Sequence, residues 1–175
     1  VGYKKVKFHT HENAGYGDVR LPDIEMHTQS FWLTVPDAVC TELGRALTVE
    51  GLAGLGHALE LCATLALMCD PRDLGRTLGD ASPESEVGGV FTATVYLFDN
   101  VPGGVGLSER IHEEAEVLLG RAAALLASCS CPFGCPACVG ATAGASGSSP
   151  AAALEIGDRK RAARGLLAAL GLAAR

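Results

Sequence analysis

Four of the seven cysteines in the sequence fall close together and follow the spacing C-x-C-x3-C-x2-C. They are Cys129, Cys131, Cys135 and Cys138. Four thiolates this close along the chain can converge on one ion, and Zn²⁺ prefers a closed tetrahedral set of sulfur ligands. Pro132, Gly134 and Pro136 lie between them and favour the tight turns that such convergence needs. The spacing therefore predicts a structural metal, with zinc favoured; two disulfides or a compact iron–sulfur cluster are the alternatives.

The three remaining cysteines lie far from this cluster in the sequence. Cys62 and Cys69 both fall on a predicted helix, where two turns separate them by about 10 Å. This separation is beyond the reach of a disulfide. Together with Cys40 they are predicted to be small buried residues in a reducing cytoplasm, which strengthens the metal interpretation of the other four.

Length and composition predict a globular chain. It has 175 residues, 48% hydrophobic and 19% charged, enough for one large domain or two small ones with a real core. The sequence begins at Val1 and shows no basic region followed by an apolar run, so no signal peptide is visible. We expect a fragment of a longer cytoplasmic protein. The most apolar stretch, 51–68, contains His57 and Glu60 and predicts a buried helix rather than a membrane span.

The net charge of −6 is unevenly distributed along the chain. Residues 1–36 are balanced, residues 37–128 carry five basic and fourteen acidic side chains, and residues 129–175 carry five basic and two acidic ones. The acidic middle repels phosphate and excludes a general duplex-binding platform there. Nucleic-acid contacts would have to use the ends of the chain.

The order of the predicted elements indicates an α+β fold. A β-rich N-terminal segment precedes a mainly helical body with one further central strand and a four-cysteine zinc knuckle. The predicted strands are 3–9, 19–21, 29–35 and 90–98. The predicted helices are about 37–47, 49–68, 108–127 and 150–175. A turn is predicted at 13–18, a short turn or helix at 73–75, and an acidic loop at 79–89.

These elements divide the chain into four predicted parts. The β-rich segment 1–36 is either the end of a preceding domain or packed on the body. It is followed by the helical zinc-binding body 37–140, a flexible linker at 141–149 and a C-terminal helix at 150–175. The linker is rich in Ala, Gly and Ser, so the sequence leaves the docking of the last helix open.

Several histidines and acids are candidates for chemistry. His57 and Glu60 lie one turn apart on a predicted helix, as an acid–base pair would, but a satisfied polar contact or a domain-interface position is the favoured interpretation. His9 and His11 share a strand face without a further ligand. His112 begins a zincin-like pattern, but the second histidine is missing, since position 116 is Glu, and the motif is ruled out.

A glycine-rich loop follows the strand 90–98 and leads directly into a helix. Such a loop is typical of phosphate binding, but it lacks Gly-Lys-Ser/Thr, and Asp99 would oppose an anion. A tight structural turn is favoured.

Two basic stretches are candidate contacts for single-stranded nucleic acid. Lys4, Lys5 and Lys7 lie in the first predicted strand, and a second patch spans Arg159–Arg164. The alternative for both is a solvated surface.

The chain also resembles one family over nearly its whole length. The motifs are Gly-Tyr-Lys-Lys at 2–5, Met-His-Thr at 26–28, Cys-Asp-Pro-Arg-Asp-Leu-Gly at 69–75, Phe-Asp-Asn-Val-Pro-Gly-Gly-Val-Gly-Leu at 98–107 and the cysteine cluster. In that order they resemble the C-terminal zinc-binding module of bacterial superfamily 2 DNA helicases of the mitomycin-repair-factor-A type. The resemblance implies an ATP-driven 3′–5′ helicase acting in DNA repair, with zinc held by the four clustered cysteines.

What the resemblance implies for this chain is an accessory role. No Gly-Lys-Thr phosphate loop and no Asp-Glu-x-His stretch occurs in the sequence, so the chain alone is predicted not to be an enzyme. Its expected partners are the motor domains of the same parent chain and, through the parent, DNA, without a membrane. The alternative is a stand-alone or phage-defence zinc module that binds protein or single-stranded DNA.

Overall fold

The computed structural model describes residues 2–18, 25–79, 93–141 and 159–172. These residues form a mixed α+β structure, which confirms the predicted fold class. The predicted strand at 19–21, most of the predicted loop at 79–89, nearly all of the predicted linker and the first residues of the predicted last helix lie outside the described residues.

The first two strands form an antiparallel hairpin, β1 (Gly2–Val6) and β2 (Asn13–Asp18). The predicted turn at 13–18 is therefore wrong. Its glycines serve the strand pairing: a Cβ on Gly17 would lie 2.7 Å from the Tyr3 ring, so only glycine lets that ring lie across β2. Gly15 has a φ of 122°, which other residues rarely adopt.

A second sheet contains three antiparallel strands in the order β3–β5–β4. They are β3 (Ser30–Thr34), β4 (Leu74–Gly79) and β5 (Thr94–Asp99). The middle strand β5 is rich in β-branched and aromatic residues, and its Val95 and Leu97 are completely buried. The prediction of strands at 29–35 and 90–98 is confirmed for the described residues.

Strand β4 replaces the short turn or helix predicted at 73–75. A Cβ on Gly75 would overlap the Phe98 ring, and one on Gly79 would lie 2.8 Å from the Tyr96 ring. The two glycines make room for aromatic side chains of the neighbouring strand β5. The described part of the body therefore contains two strands, β4 and β5, where one was predicted.

Six helices complete the described structure. They are α1 (Asp37–Leu43), α2 (Arg45–Leu67), α3 (Leu107–Glu113), α4 (Ala115–Ser128), α5 (Pro136–Val139) and α6 (Arg159–Ala169). The single helix predicted at 108–127 is interrupted at Glu114, which has φ −100° and ψ 12°. Helix α2 is the centre of the core: it packs against α4, α5, α6, β4 and β5.

Helix α6 is docked closely on α2. A Cβ on Gly51 would lie 2.8 Å from the carbonyl oxygen of Ala162, and one on Gly54 would lie 3.0 Å from Cγ of Arg159. Small residues on α2 thus allow close backbone approach. An ion pair of 2.8 Å between Arg159 and Glu50 joins the same two helices. The docking that the sequence left open is therefore present.

Across the ranges that the structure describes, no helix combines the length and apolarity needed to cross a lipid bilayer.

Candidate metal centre

The sulfur atoms of the four clustered cysteines converge at the end of α4. All four lie within 4.8 Å of one another. The Sγ of Cys129 lies 3.4 Å from that of Cys131 and 3.7 Å from that of Cys135. The Sγ of Cys138 lies 3.5 Å from that of Cys131 and 3.6 Å from that of Cys135. The chain thus brings the four sulfur atoms together in one compact cluster.

The distances between the sulfur atoms match those around a tetrahedral zinc ion. Zinc–sulfur bonds of about 2.3 Å in tetrahedral geometry place the sulfur atoms about 3.8 Å apart. The four separations of 3.4 to 3.7 Å are close to that value. They are far longer than a disulfide bond of about 2.05 Å, and all seven cysteines are free. The donor set fits a structural zinc ion.

The local sequence builds this geometry by ending one helix and starting another. Helix α4 ends at Ser128, and Cys129 continues in extended backbone. Gly134 has a φ of 119°, and a Cβ there would lie 2.7 Å from the Val139 side chain, so glycine is required at this reversal. Cys135 then caps α5, and its backbone N–H donates to Sγ of Cys138 at 3.4 Å.

Cys135, which caps α5, and Cys138, which lies within it, differ in the pKa of their thiols. Hydrogen bonds from the backbone and side chain of Cys138, together with the Ala137 backbone, lower the pKa of Cys135 to about 7. Cys138 is completely buried, and this burial raises the pKa of its thiol to about 12. A bound cation would supply the positive charge that its thiolate needs.

Lys160 of α6 also reaches the cysteine cluster. Its side chain is buried, and its Nζ donates to the carbonyl oxygens of Cys129 at 2.6 Å and Cys131 at 2.8 Å. The sequence predicted a solvated or nucleic-acid-binding basic face for this region. No local pattern identifies Lys160 as different from its basic neighbours, because its contacts lie about thirty residues away in the sequence.

His57 lies beside the cysteine cluster rather than in a catalytic pair. A Cβ on Gly140 would lie 3.1 Å from its imidazole Cγ. Burial and the nearby Arg76 charge lower the pKa of His57, against the opposing effects of Glu60 and of hydrogen bonds to the α5 backbone. Glu60 itself forms an ion pair of 2.9 Å with Arg76. These contacts support the polar-contact interpretation of both residues.

Asp99 organises the glycine-rich loop from inside. Its carboxylate is completely buried and accepts the backbone N–H groups of Val105 at 2.6 Å, Leu107 at 3.1 Å and Ser108 at 2.8 Å. Burial favours the neutral acid, but these bonds and the Ser108 hydroxyl together lower the pKa of Asp99. The carboxylate occupies the place that a bound anion would take, which supports the structural-turn interpretation.

The remaining candidates lie elsewhere. His9 and His11 are exposed on the hairpin, and within the ranges that the structure describes the four cysteines are the only group able to hold a metal ion. The His112 ring contacts the ring of Phe31 in β3. The Asp73 carbonyl accepts the backbone N–H of Asn100 at 2.7 Å, and so joins the turn after α2 to the end of β5.

Fold and cluster together define an α+β metal-binding domain. The model of the family described as the MrfA Zn-binding domain matches residues 55–139 of the chain. The matched segment runs from the middle of α2 to the end of α5 and includes all four clustered cysteines. The domain therefore binds zinc as a structural cofactor, as the spacing predicted.

Two curated proteins are similar to the chain. It is 31% identical over 140 residues to the ATP-dependent helicase YprA of Bacillus subtilis (strain 168), across 79% of this chain and 18% of that protein. A second match, 40% identical over 50 residues, is to protein MJ1572.1 of Methanocaldococcus jannaschii, across 29% of this chain and 45% of that protein.

Two solved structures share the fold. The crystal structure of the DUF1998 helicase MrfA bound to DNA superposes with a TM-score of 0.69 at 27% identity, over 97% of this chain and 20% of that chain. The same helicase bound to DNA and AMPPNP gives a TM-score of 0.60 at 26% identity, over 94% and 19%. The chain thus spans about a fifth of the length of these helicases.

Proposed function

We propose that the chain is the accessory zinc-binding domain of an ATP-dependent 3′–5′ DNA helicase that acts in DNA repair. The observation that carries this proposal is the closed four-sulfur cluster inside a segment that matches the MrfA Zn-binding domain. A closed set of sulfur ligands leaves no position for water or substrate. The domain is therefore non-catalytic by itself, and ATP hydrolysis belongs to motor domains elsewhere in the same cytoplasmic parent chain.

The four clustered cysteines are the zinc ligands in this proposal. They join the end of α4 to α5, and both helices pack against α2. Zinc would thus fix the loop that continues α4 onto the surface of the central helix. The domain, made rigid by zinc, would then lie beside the motor domains of the helicase that acts on DNA.

The assignment of the ligands predicts the effect of a single substitution. Cys135→Ser is expected to reduce bound zinc from one ion per chain to well below half, because serine replaces one of four sulfur ligands. Metal analysis of the purified protein together with a thermal melt would measure this. The matched control is Cys69→Ser, which lies outside the cluster and should leave zinc unchanged. Unchanged zinc in Cys135→Ser would contradict the ligand assignment.

A second candidate function is direct binding of single-stranded DNA through the β1–β2 hairpin. The hairpin exposes aromatic rings beside basic groups: the side chain of Tyr16 is 74% exposed and pairs across the strands with Lys4. On the other face Nζ of Lys5 lies 5.6 Å from the Tyr3 ring centroid. Stacking rings with nearby cations suit single strands, and the similar helicase MrfA was crystallised with DNA.

This second function predicts that a ring on the hairpin contributes to affinity. Tyr16→Ala is expected to weaken binding of a labelled single strand about tenfold, since stacking is worth about 1–3 kcal/mol per base. Fluorescence anisotropy at low salt would measure it. The matched control is Leu65→Ala, an exposed apolar residue of α2 far along the chain, which should have no effect. Absence of binding by the unmodified chain at low salt would remove this function.

A further inference from the structure

Among the described residues, Lys160 is a buried charge without a carboxylate partner. Its side chain is only 6% exposed, although lysine is almost never fully buried unless it is paired. The ion pairs found among the described residues do not include it. Its Nζ donates instead to the carbonyl oxygens of Cys129 and Cys131 and lies 3.7 Å from Sγ of Cys131. Two carbonyl dipoles do not neutralise a full positive charge.

The cysteine cluster carries the opposite charge when it holds zinc. Four thiolates around one doubly positive ion leave two negative charges in excess. This excess lies beside the Lys160 ammonium, in a partly buried region where charges are weakly screened. The metal-loaded cluster is therefore the counter-charge that the described residues otherwise lack.

We propose that Lys160 is the electrostatic partner of the metal centre, and that it makes zinc binding and the docking of α6 mutually dependent. The proposal rests on the assignment of the four cysteines as zinc ligands. Two contacts link zinc binding to the docking of α6. The Lys160 ammonium donates to the carbonyl oxygens of two ligand residues. The Lys160 backbone N–H donates to the carbonyl oxygen of Phe133, between the ligand residues, at 3.4 Å. Lys160 is a positioning residue, since the sulfurs alone coordinate the ion.

The dependence works in both directions. With zinc bound, the negative cluster stabilises the buried ammonium and so holds the first turn of α6 on the loop. Without zinc, the cluster would carry less negative charge, and the buried ammonium would have a weaker counter-charge, which is costly. Thermodynamic linkage requires that whatever α6 gains from zinc, zinc gains from α6. Groups that orient metal ligands commonly contribute a factor of about 10–100 in metal affinity.

Zinc affinity measured by chelator competition on the whole chain tests this. Lys160→Met keeps the length and apolar stem but removes the charge, and should weaken zinc binding about 10- to 100-fold. Lys160→Arg keeps the charge and should recover a large part of the affinity. Arg164→Met, which removes an exposed charge from the same helix, should leave affinity unchanged. Equal zinc affinity in Lys160→Met and the unmodified chain would overturn the proposal.

Two further measurements separate this proposal from simpler explanations. Leu166→Ala loosens the packing of α6 without changing its charge; if it weakened zinc as much as Lys160→Met, packing alone would explain the effect. If Lys160→Met does not fold, amine-reactive labelling of the unmodified chain serves instead. Lys160 should be protected with zinc and labelled after chelation, whereas Lys4 is labelled in both states. Continued protection of Lys160 in the zinc-free chain would overturn the proposal.

Zinc binding by Cys135→Ser and Lys160→Met distinguishes an error in the role of Lys160 from an error in the ligand assignment. If Cys135→Ser retains zinc, the cysteines are not the ligands and the proposed function loses its support. If Cys135→Ser loses zinc but Lys160→Met binds it normally, the ligand assignment stands and only the role of Lys160 is wrong.

Discussion

Removal of zinc is expected to unfold one end of this domain and leave the rest folded. Structural zinc contributes on the order of 10 kcal/mol to the folding of small zinc-finger peptides, which have little other core. Here α2 also packs on a sheet whose residues Val95 and Leu97 are completely buried. The loss should therefore be confined to the loop 129–135, helix α5 and the first turn of α6.

Hydrogen exchange followed by mass spectrometry would measure this, before and after treatment with a strong chelator. Peptides covering residues 129–141 should lose their protection by at least about a hundredfold, whereas peptides from α2 and β5 should keep it. The Cys69→Ser protein keeps all four clustered cysteines and serves as a control for the loss of a cysteine outside the cluster. Collapse of protection throughout α2 and β5 would show instead that zinc holds the entire fold.

Asp99→Asn is expected to destabilise the domain by about 3 kcal/mol. The substitution removes a buried charge that accepts hydrogen bonds from three backbone N–H groups, and bonds to charged groups contribute about 1.5–3 kcal/mol each. The asparagine N–H₂ would also face donors, which leaves some of them unpaired. Urea denaturation of both proteins at neutral pH would measure the difference. Glu109→Gln, at an exposed position near the start of α3, should change stability by less than about 0.5 kcal/mol.

The destabilisation caused by Asp99→Asn is expected to depend on pH. Because the pKa of Asp99 is lowered from its usual value of 3.8, the native state favours the charged form. The contribution of this carboxylate is fully present above pH 3.8 and is lost as the pH falls through the lowered native value. The difference in unfolding free energy between the unmodified protein and Asp99→Asn should therefore shrink in acid, whereas the Glu109→Gln control should stay close to the unmodified protein. A constant difference for Asp99→Asn down to the lowest accessible pH would show that the charge itself contributes little.

The sequence predicted those features that depend on neighbouring residues. The cysteine spacing alone identified the cluster, because all four ligands lie in one short segment that has to fold back on itself. Strand β5 was visible from its β-branched and aromatic residues, and the long apolar stretch predicted α2. The family resemblance, which composition and periodicity did not supply, was confirmed by the match to the MrfA Zn-binding domain.

The features that the sequence did not predict depend on distant partners. The sequence predicts a short turn or helix at Gly75 and a loop at Gly79, but Phe98 and Tyr96 of β5 require glycine at those positions in β4. The sequence does not distinguish Lys160 from the other basic residues of α6, because its hydrogen-bond partners are the carbonyl oxygens of Cys129 and Cys131. In each case the deciding contact joins residues at least 17 positions apart.

The position of β5 in the sheet also has a consequence for synthesis on the ribosome. Within the described structure β3 and β4 each pair only with β5, which follows both of them in the chain. Both strands therefore leave the exit tunnel before any partner exists, and the surface of α2 around Gly56, which packs on Val95, is uncovered during that time. Unpaired strand edges are sites of aggregation. A fragment that ends before residue 94 would keep these edges permanently, so an expression boundary placed there should give insoluble protein.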